Sequence, residues 1–258
     1  MKSRLGLSIV MALSALCQAA LAGEAPAPKA PAAAWPKGSY AALDKLPDWG
    51  GVWVLGRGRP APGAPPPEQP KFKGEYLAKY QTWQKEVRDN NGVARKETSN
   101  CMPPGMPNMM GTGQYPIEFL FTPGRVTTLH EAWMQNRTIF TDGRGHPEDL
   151  ELGIFGHSVG KWEGTTLVVD TIGIKPITEL GAGMKHSDKL HITERIHLAA
   201  GDPDSLVDEM TLEDPEALEA PYHRTLTFKR NRDWNLMEFV CAENDRNPVG
   251  SDGHTQFK

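Results

Sequence analysis

Between residues 142 and 197 the chain concentrates side chains that can move protons, set in glycine-punctuated motifs: DGRGHP, GHSVGKWEG, VVDT, KHSDKL and ITER. An imidazole titrates near neutrality, so His146, His157 and His186 are candidate proton donors or acceptors, with neighbouring carboxylates to orient them. All three fall on expected turns or strand entries, positions where a rigid scaffold commonly displays functional groups.

Strand alternation adds an interior set, because successive side chains point to opposite faces. In LHITERIHL, Glu194 shares a face with Leu190, Ile192, Ile196 and Leu198; in SLVDEMTL, Asp208 lies between Leu206 and Met210. The same reading places Asp170 with Val168 and Ile172, and Arg224 with Tyr222, Leu226 and Phe228. Apolar faces turn inward, so three carboxylates and one guanidinium are expected inside. An ionised carboxylate in such a place costs several kcal/mol unless it is paired or hydrogen-bonded. Either Arg224 neutralises Glu194 or Asp208 as a structural lock, or one acid stands unpaired with a raised pKa, ready for general acid–base work. The catalytic candidates are therefore His157, His186, Glu194, His146 and Asp170, and the substrate-binding candidates Arg224, Trp162, Asp208 and Arg144.

Other chemistries fit less well. The spacings of 11 and 29 residues between His146, His157 and His186 match no compact metal-ligand motif, so no metal or other cofactor is expected. GHSVG is not the nucleophile elbow GxSxG, and no phosphate-cradling loop or dinucleotide fingerprint occurs. A net charge of -4 gives no electrostatic reason to expect nucleic acid as partner.

These residues need a β scaffold. Runs of β-branched and aromatic residues separated by turn signals predict strands near 116–121, 125–132, 134–141, 165–172, 190–198, 205–212, 222–229 and 234–241, with a further short strand in LPDWGGVWVL. Eight strands with short connections suggest a mainly β fold, an antiparallel meander closing into a lipocalin-like barrel; a β-sandwich is the alternative. One helix is predicted over Phe72 to Asp89, lying across the sheet on its stripe of Phe72, Tyr76, Tyr80 and Trp83. CMPPGMPNMMG at 101–111 is too rich in proline and glycine for regular structure, and Met106, Met109 and Met110 there suit a flexible lid or a plug over the barrel end.

Lys2 and Arg4 ahead of the apolar run Leu5–Ala15, followed by Ala20-Leu21-Ala22, describe a secretory signal peptide over residues 1–22. A Pro/Ala-rich linker over 23–46, one β-rich domain over 47–247 and a flexible tail over 248–258 follow. No stretch reaches the roughly 18 apolar residues a spanning helix needs, so a periplasmic or secreted product is expected. Cys17 falls inside the signal behind the bulky Leu16, which argues against a lipid anchor. That leaves Cys101 and Cys241 in an oxidising compartment, where they are expected to pair.

The strings EFLFTPGRVTTLHEA, FTDGRGHP, GHSVGKWEGTTLVVDT, ITERI and TLEDPEAL resemble a family of exported bacterial proteins with the pattern GHSxGxWEGDTLVVDT at its centre. The similarity spans residues 101–247, both cysteines included, and breaks at Thr165, where the family more often carries Asp. It implies export and a β-rich domain, and no particular reaction. From the residues themselves, the expected function is a cofactor-independent acid–base enzyme, an isomerase, hydratase or lyase acting on a small hydrophobic or aromatic molecule in a barrel cavity. The alternative is a periplasmic binding or carrier protein without turnover. Convergence of His157, His186 and Glu194 on one cavity distinguishes the first from the second.

Overall fold

The computed structural model describes residues 37–56, 67–93 and 101–241. The expected signal peptide, most of the linker and the tail lie outside the described residues, although the linker's last residues include a 3-10 helix, Tyr40–Lys45. Nine strands close into one barrel in chain order: β1 (Val52–Leu55), β2 (Ile117–Thr122), β3 (Arg125–His130), β4 (Gln135–Phe140), β5 (His157–Glu163), β6 (Thr166–Ile172), β7 (His191–Ala199), β8 (Asp202–Glu213) and β9 (Tyr222–Asn231). β1 pairs with both β2 and β9, which closes the sheet, removes its edges and excludes the sandwich.

The barrel is not a pure meander. β4 and β5 run parallel, because the chain leaves β4 at Phe140 and travels back through residues 141–156 before re-entering in the same direction. This long connection carries Asp142, Arg144 and His146. β5 itself departs from the sequence expectation of a turn: GHSVGKWEG is punctuated by glycine, yet it forms a strand. Gly160 is small because β5 is crowded there; a Cβ would lie 2.8 Å from Ile139 Cγ2 and 3.3 Å from Leu167 Cδ1. Conversely, residues 234–241 form no strand despite their β-rich composition. Both neighbours of β9 are already taken by β8 and β1, so the segment has no ladder to join. It is held instead by a hydrogen bond from the Met237 amide to Glu131 (2.8 Å), ring contacts of Phe239 with Tyr115 and Trp133, and the Cys101–Cys241 disulfide, whose Cα atoms are 5.5 Å apart.

Inward side chains make the apolar core: Trp53, Ile117, Phe119, Val126, Ile139, Leu167, Val169, Ile192, Ile196, Leu206, Met210, Leu226 and Phe228 are buried. Trp49, Phe119, Phe121 and Trp162 pack edge on or tilted with centroids 5.2–5.4 Å apart, an apolar cluster that accounts for Trp162. Met106, Met109 and Met110 are wholly buried in the same core, so the methionine segment is a plug rather than a flexible lid, with a 3-10 turn at Asn108–Gly111. The helix α1 (Gly74–Asp89) meets the connections after β6 and β8 rather than lying across the sheet. Phe72 bridges to Leu218, Tyr80 stacks with Trp83, and the Trp83 indole covers Gly183, where any Cβ would collide with it.

Candidate acid-base site

The interior holds a polar layer organised by a residue that sequence reasoning overlooked. Arg137 on β4 points inward beside Ile139 and is 2% exposed. Its Nη1 donates to Glu194 Oε1 (2.9 Å) and its Nη2 to Glu194 Oε2, a bidentate pair with a carboxylate of zero exposure. Nε donates to Ser158 Oγ (3.1 Å), Nη2 also to Thr171 Oγ1 (2.8 Å), and Ser158 and Thr171 bond each other at 2.9 Å. One guanidinium thus ties β4, β5, β6 and β7 together. The signal lies in the alternation of Arg137 with Ile139 in QNRTIF, which puts the guanidinium on the inward face of β4.

Glu194 and Asp208 point inward as expected. Glu194's partner is Arg137, however, not Arg224. Arg224 also faces inward, and its Nη1 donates to Asn108 Oδ1 (2.9 Å) and the Leu180 carbonyl (3.4 Å). Asp208 is wholly buried, and neither carboxyl oxygen has a hydrogen-bond partner among the described residues. Burial and the neighbouring Glu194 push its pKa well above the ordinary carboxylate range. On β3, buried His130 bonds Thr128 through Nε2 (2.9 Å), and burial together with the Arg137 charge pushes its pKa down to about 3, so it is neutral.

Asp170 does not join this interior. In TTLVVDTIG the adjacent valines fit either parity, and the barrel takes Leu167, Val169 and Thr171 inside, which turns Asp170 outward. His157 faces outward too, since the inward residue of that rung is Ser158. Both project on the outer face, where His146 lies between them. Ser158 and Thr171 are register partners, so the Arg137 layer fixes, from within, the backbone from which His157 and Asp170 project. Gly156 brings the chain in tightly at this point: its φ of +66° is left-handed, and a Cβ would strike the Ile172 carbonyl.

Outside, His146 Nδ1 and His157 Nδ1 are 2.8 Å apart, and His146 Nε2 lies 3.5 Å from Asp170 Oδ1. His191 Nε2 contacts the same oxygen at 2.8 Å, while its Nδ1 is 3.6 Å from Glu213 Oε2. His157 also stacks on Phe140, whose ring carries the Arg144 guanidinium 4.2 Å above it. Arg144 is engaged by Asp142 through Nε and Nη2, at 2.9 and 2.7 Å, so it acts as an anchored charge beside the site rather than a free anion hook. Burial first, then His146 and Arg144, lowers the pKa of His157 below its ordinary 6.5.

A bond between two Nδ1 atoms holds a single proton. Placing it is an assignment from electrostatics. Asp170 beside His146 Nε2 favours a proton there, which makes His146 Nδ1 the acceptor and His157 Nδ1 the donor. His157 Nε2 then keeps its lone pair and has no hydrogen-bond partner among the described residues, which suits a general base.

His186 is elsewhere. Its ring is buried between Thr178 Oγ1 (2.8 Å from Nε2) and the Ser187 carbonyl (2.7 Å from Nδ1), and burial lowers its pKa, so it clips the connection between β6 and β7. His157, His186 and Glu194 therefore do not converge on one cavity: the first is outside the barrel, the last inside, and the second in a loop, an outcome that counts against an enzyme built on these three and favours a carrier or a structural role for His186 and Glu194. Asp214 supports the same connection, accepting from the Ser187 amide and hydroxyl at 2.7 and 2.8 Å. Among the described residues no group of three or more His, Cys, Asp or Glu is arranged to hold a metal ion, and no helix is long and apolar enough to cross a membrane. The chain matches no protein-family model, no curated protein and no solved structure.

Proposed function

We propose that the protein is an exported, cofactor-independent acid–base enzyme whose proton-transfer site is the outer-face cluster of His157, His146, Asp170 and His191, not a cavity of the barrel. The observation that carries this reading is the cluster itself: His157 is bonded to His146 through their Nδ1 atoms, His146 Nε2 lies 3.5 Å from the Asp170 carboxylate without a hydrogen bond to it, and His191 bonds that carboxylate. In this reading His157 Nε2 removes a proton from a small substrate, and His146 and Asp170 orient the ring and stabilise the positive charge it gains. Phe140, stacked on His157 and carrying the Arg144 guanidinium, flanks the base with aromatic and cationic groups. Isomerisation, hydration and elimination all need such a base. The disulfide supports an oxidising compartment, periplasmic or extracellular.

The test is deuterium incorporation from heavy water into a panel of small aryl ketones and aryl-substituted acids, followed by proton NMR. Enzyme-dependent exchange that falls on the order of 100-fold or more in His157→Gln and less steeply in Asp170→Asn supports the assignment, since positioned acid–base groups contribute roughly 10²–10⁴-fold. Exchange that His157→Gln leaves unchanged in a folded variant overturns it.

A further inference from the structure

Two polar side chains inside the barrel are left over by the Arg137–Glu194 pair. Asp208 and Arg224 lie on the inner faces of adjacent strands, β8 and β9, one rung apart: Asp208 pairs in register with Leu226, and Arg224 with Met210. Among the described residues the Asp208 carboxyl has no hydrogen-bond partner, and the only groups bonded to Arg224, the Asn108 amide oxygen and the Leu180 carbonyl, are uncharged. Arg224 is partly buried and Asp208 wholly so; a partly desolvated charge without a counter-ion is costly, as is a buried carboxyl without a partner, and each deficit is the complement of the other's remedy.

The protein does not join the two in an ion pair. Counting the interior, Arg137 and Glu194 cancel, and a protonated Asp208 leaves Arg224 as one uncompensated positive charge. Burial and Glu194 favour that protonated form, and burial weakens the hold of Arg224 on its own proton. A guanidinium and a carboxylic O–H one rung apart on adjacent strands can both donate to one anionic oxygen pair placed between them. Their surroundings are apolar, with Leu226, Met210, Met109 and Met110 buried around them. The methionine plug abuts this point, since a Cβ on Gly111 would strike Arg224 Nη2.

We propose that Arg224 and Asp208 form an interior subsite for a small organic monoanion, a carboxylate carried on an apolar body, admitted where the Asn108–Gly111 turn covers the barrel end. Arg224 supplies the counter-charge and Asp208 donates the neutral hydrogen bond. Asn108 releases or shares the guanidinium as the anion arrives. This subsite is separate from the outer-face relay and does not depend on it.

Titration of the full exported chain with acetate, benzoate and octanoate, each beside its neutral amide, tests the proposal by calorimetry at pH 7. At least one apolar carboxylate is expected to bind tenfold or more tightly than its amide. Arg224→Gln should weaken that carboxylate at least tenfold and leave the amide unaffected, with Arg224→Lys recovering part of the loss. Asp208→Leu should weaken it further than Asp208→Asn, which keeps a donor. His157→Gln should bind the carboxylate like the parent, which separates failure here from failure of the acid–base assignment. Carboxylates that bind no better than amides, or not at all up to about 10 mM, overturn the proposal, as does an Arg224→Gln protein that melts normally and binds unchanged.

Discussion

Replacing Arg137 with methionine removes the one positive charge that compensates Glu194 inside the barrel. Glu194 has zero exposure, and both its oxygens are held by the Arg137 guanidinium, which also bonds Ser158 and Thr171. Breaking one partner of a buried pair strands the other charge, at a cost of roughly 3–5 kcal/mol. Ser158 and Thr171 keep their mutual bond, so the loss falls mainly on Glu194. Urea unfolding followed by tryptophan fluorescence reads the difference; with an m-value of about 2–3 kcal/mol per molar for a domain this size, the midpoint should drop by roughly 1–2.5 M. Arg137→Met combined with Glu194→Leu removes both charges, and it should recover most of the stability, because apolar replacements of such pairs are often neutral or better. A loss below about 1 kcal/mol in the single variant, or a double variant no more stable than the single, refutes the claim that this layer locks β4 through β7.

Two buried groups give opposite pH trends. Asp208 holds its proton more tightly folded than unfolded, so its contribution to stability is complete below its ordinary pKa of 3.8 and is lost as pH rises toward its raised folded value. Asp208→Asn should therefore gain stability relative to the parent as pH rises from 4 to 7, measured as the urea midpoint at each pH. His130 is the reverse: with its folded pKa near 3 against 6.5 unfolded, its contribution is present above pH 6.5 and is lost as pH falls toward 3, at about 1.4 kcal/mol per pH unit for the single proton. His130→Gln should flatten that acid limb. The Cys101–Cys241 disulfide closes a loop of sequence separation 140, for which chain entropy gives roughly 4–5 kcal/mol. Cys241→Ser should lower the melting temperature markedly, and a scan unchanged by reductant in the parent would argue that the bridge contributes little.

Where apolar and polar residues alternate without ambiguity, the sequence shows the barrel plainly: β7, β8 and β9 stand within a few residues of their expected ranges, and Glu194, Asp208 and Arg224 face inward as the period-two pattern requires. It misleads where two β-branched residues adjoin. Val168 and Val169 support either face, and only closure of the barrel decides that Asp170 points out. Composition fails at β5, whose glycines signal turns although Gly160 is there to admit Ile139. It fails again at residues 234–241, where a strand-like sequence meets a sheet with no vacant edge. The candidate site was legible as a set of residue types but not as a place. His146, His157 and Asp170 come together only through the parallel return of the chain between β4 and β5, a topology that no local pattern announces. His191, which holds Asp170, was visible only as an outward residue of its strand.

The assignment of His157 as the base rests on which of its nitrogens carries the proton, and nitrogen-15 NMR of imidazole-labelled protein measures that directly. The expected result is a neutral ring at pH 7 with the proton on Nδ1, an unprotonated Nε2, and a midpoint below 6.5 on acid titration. A ring protonated on Nε2 at neutral pH, or a titration midpoint at or above 6.5, contradicts it.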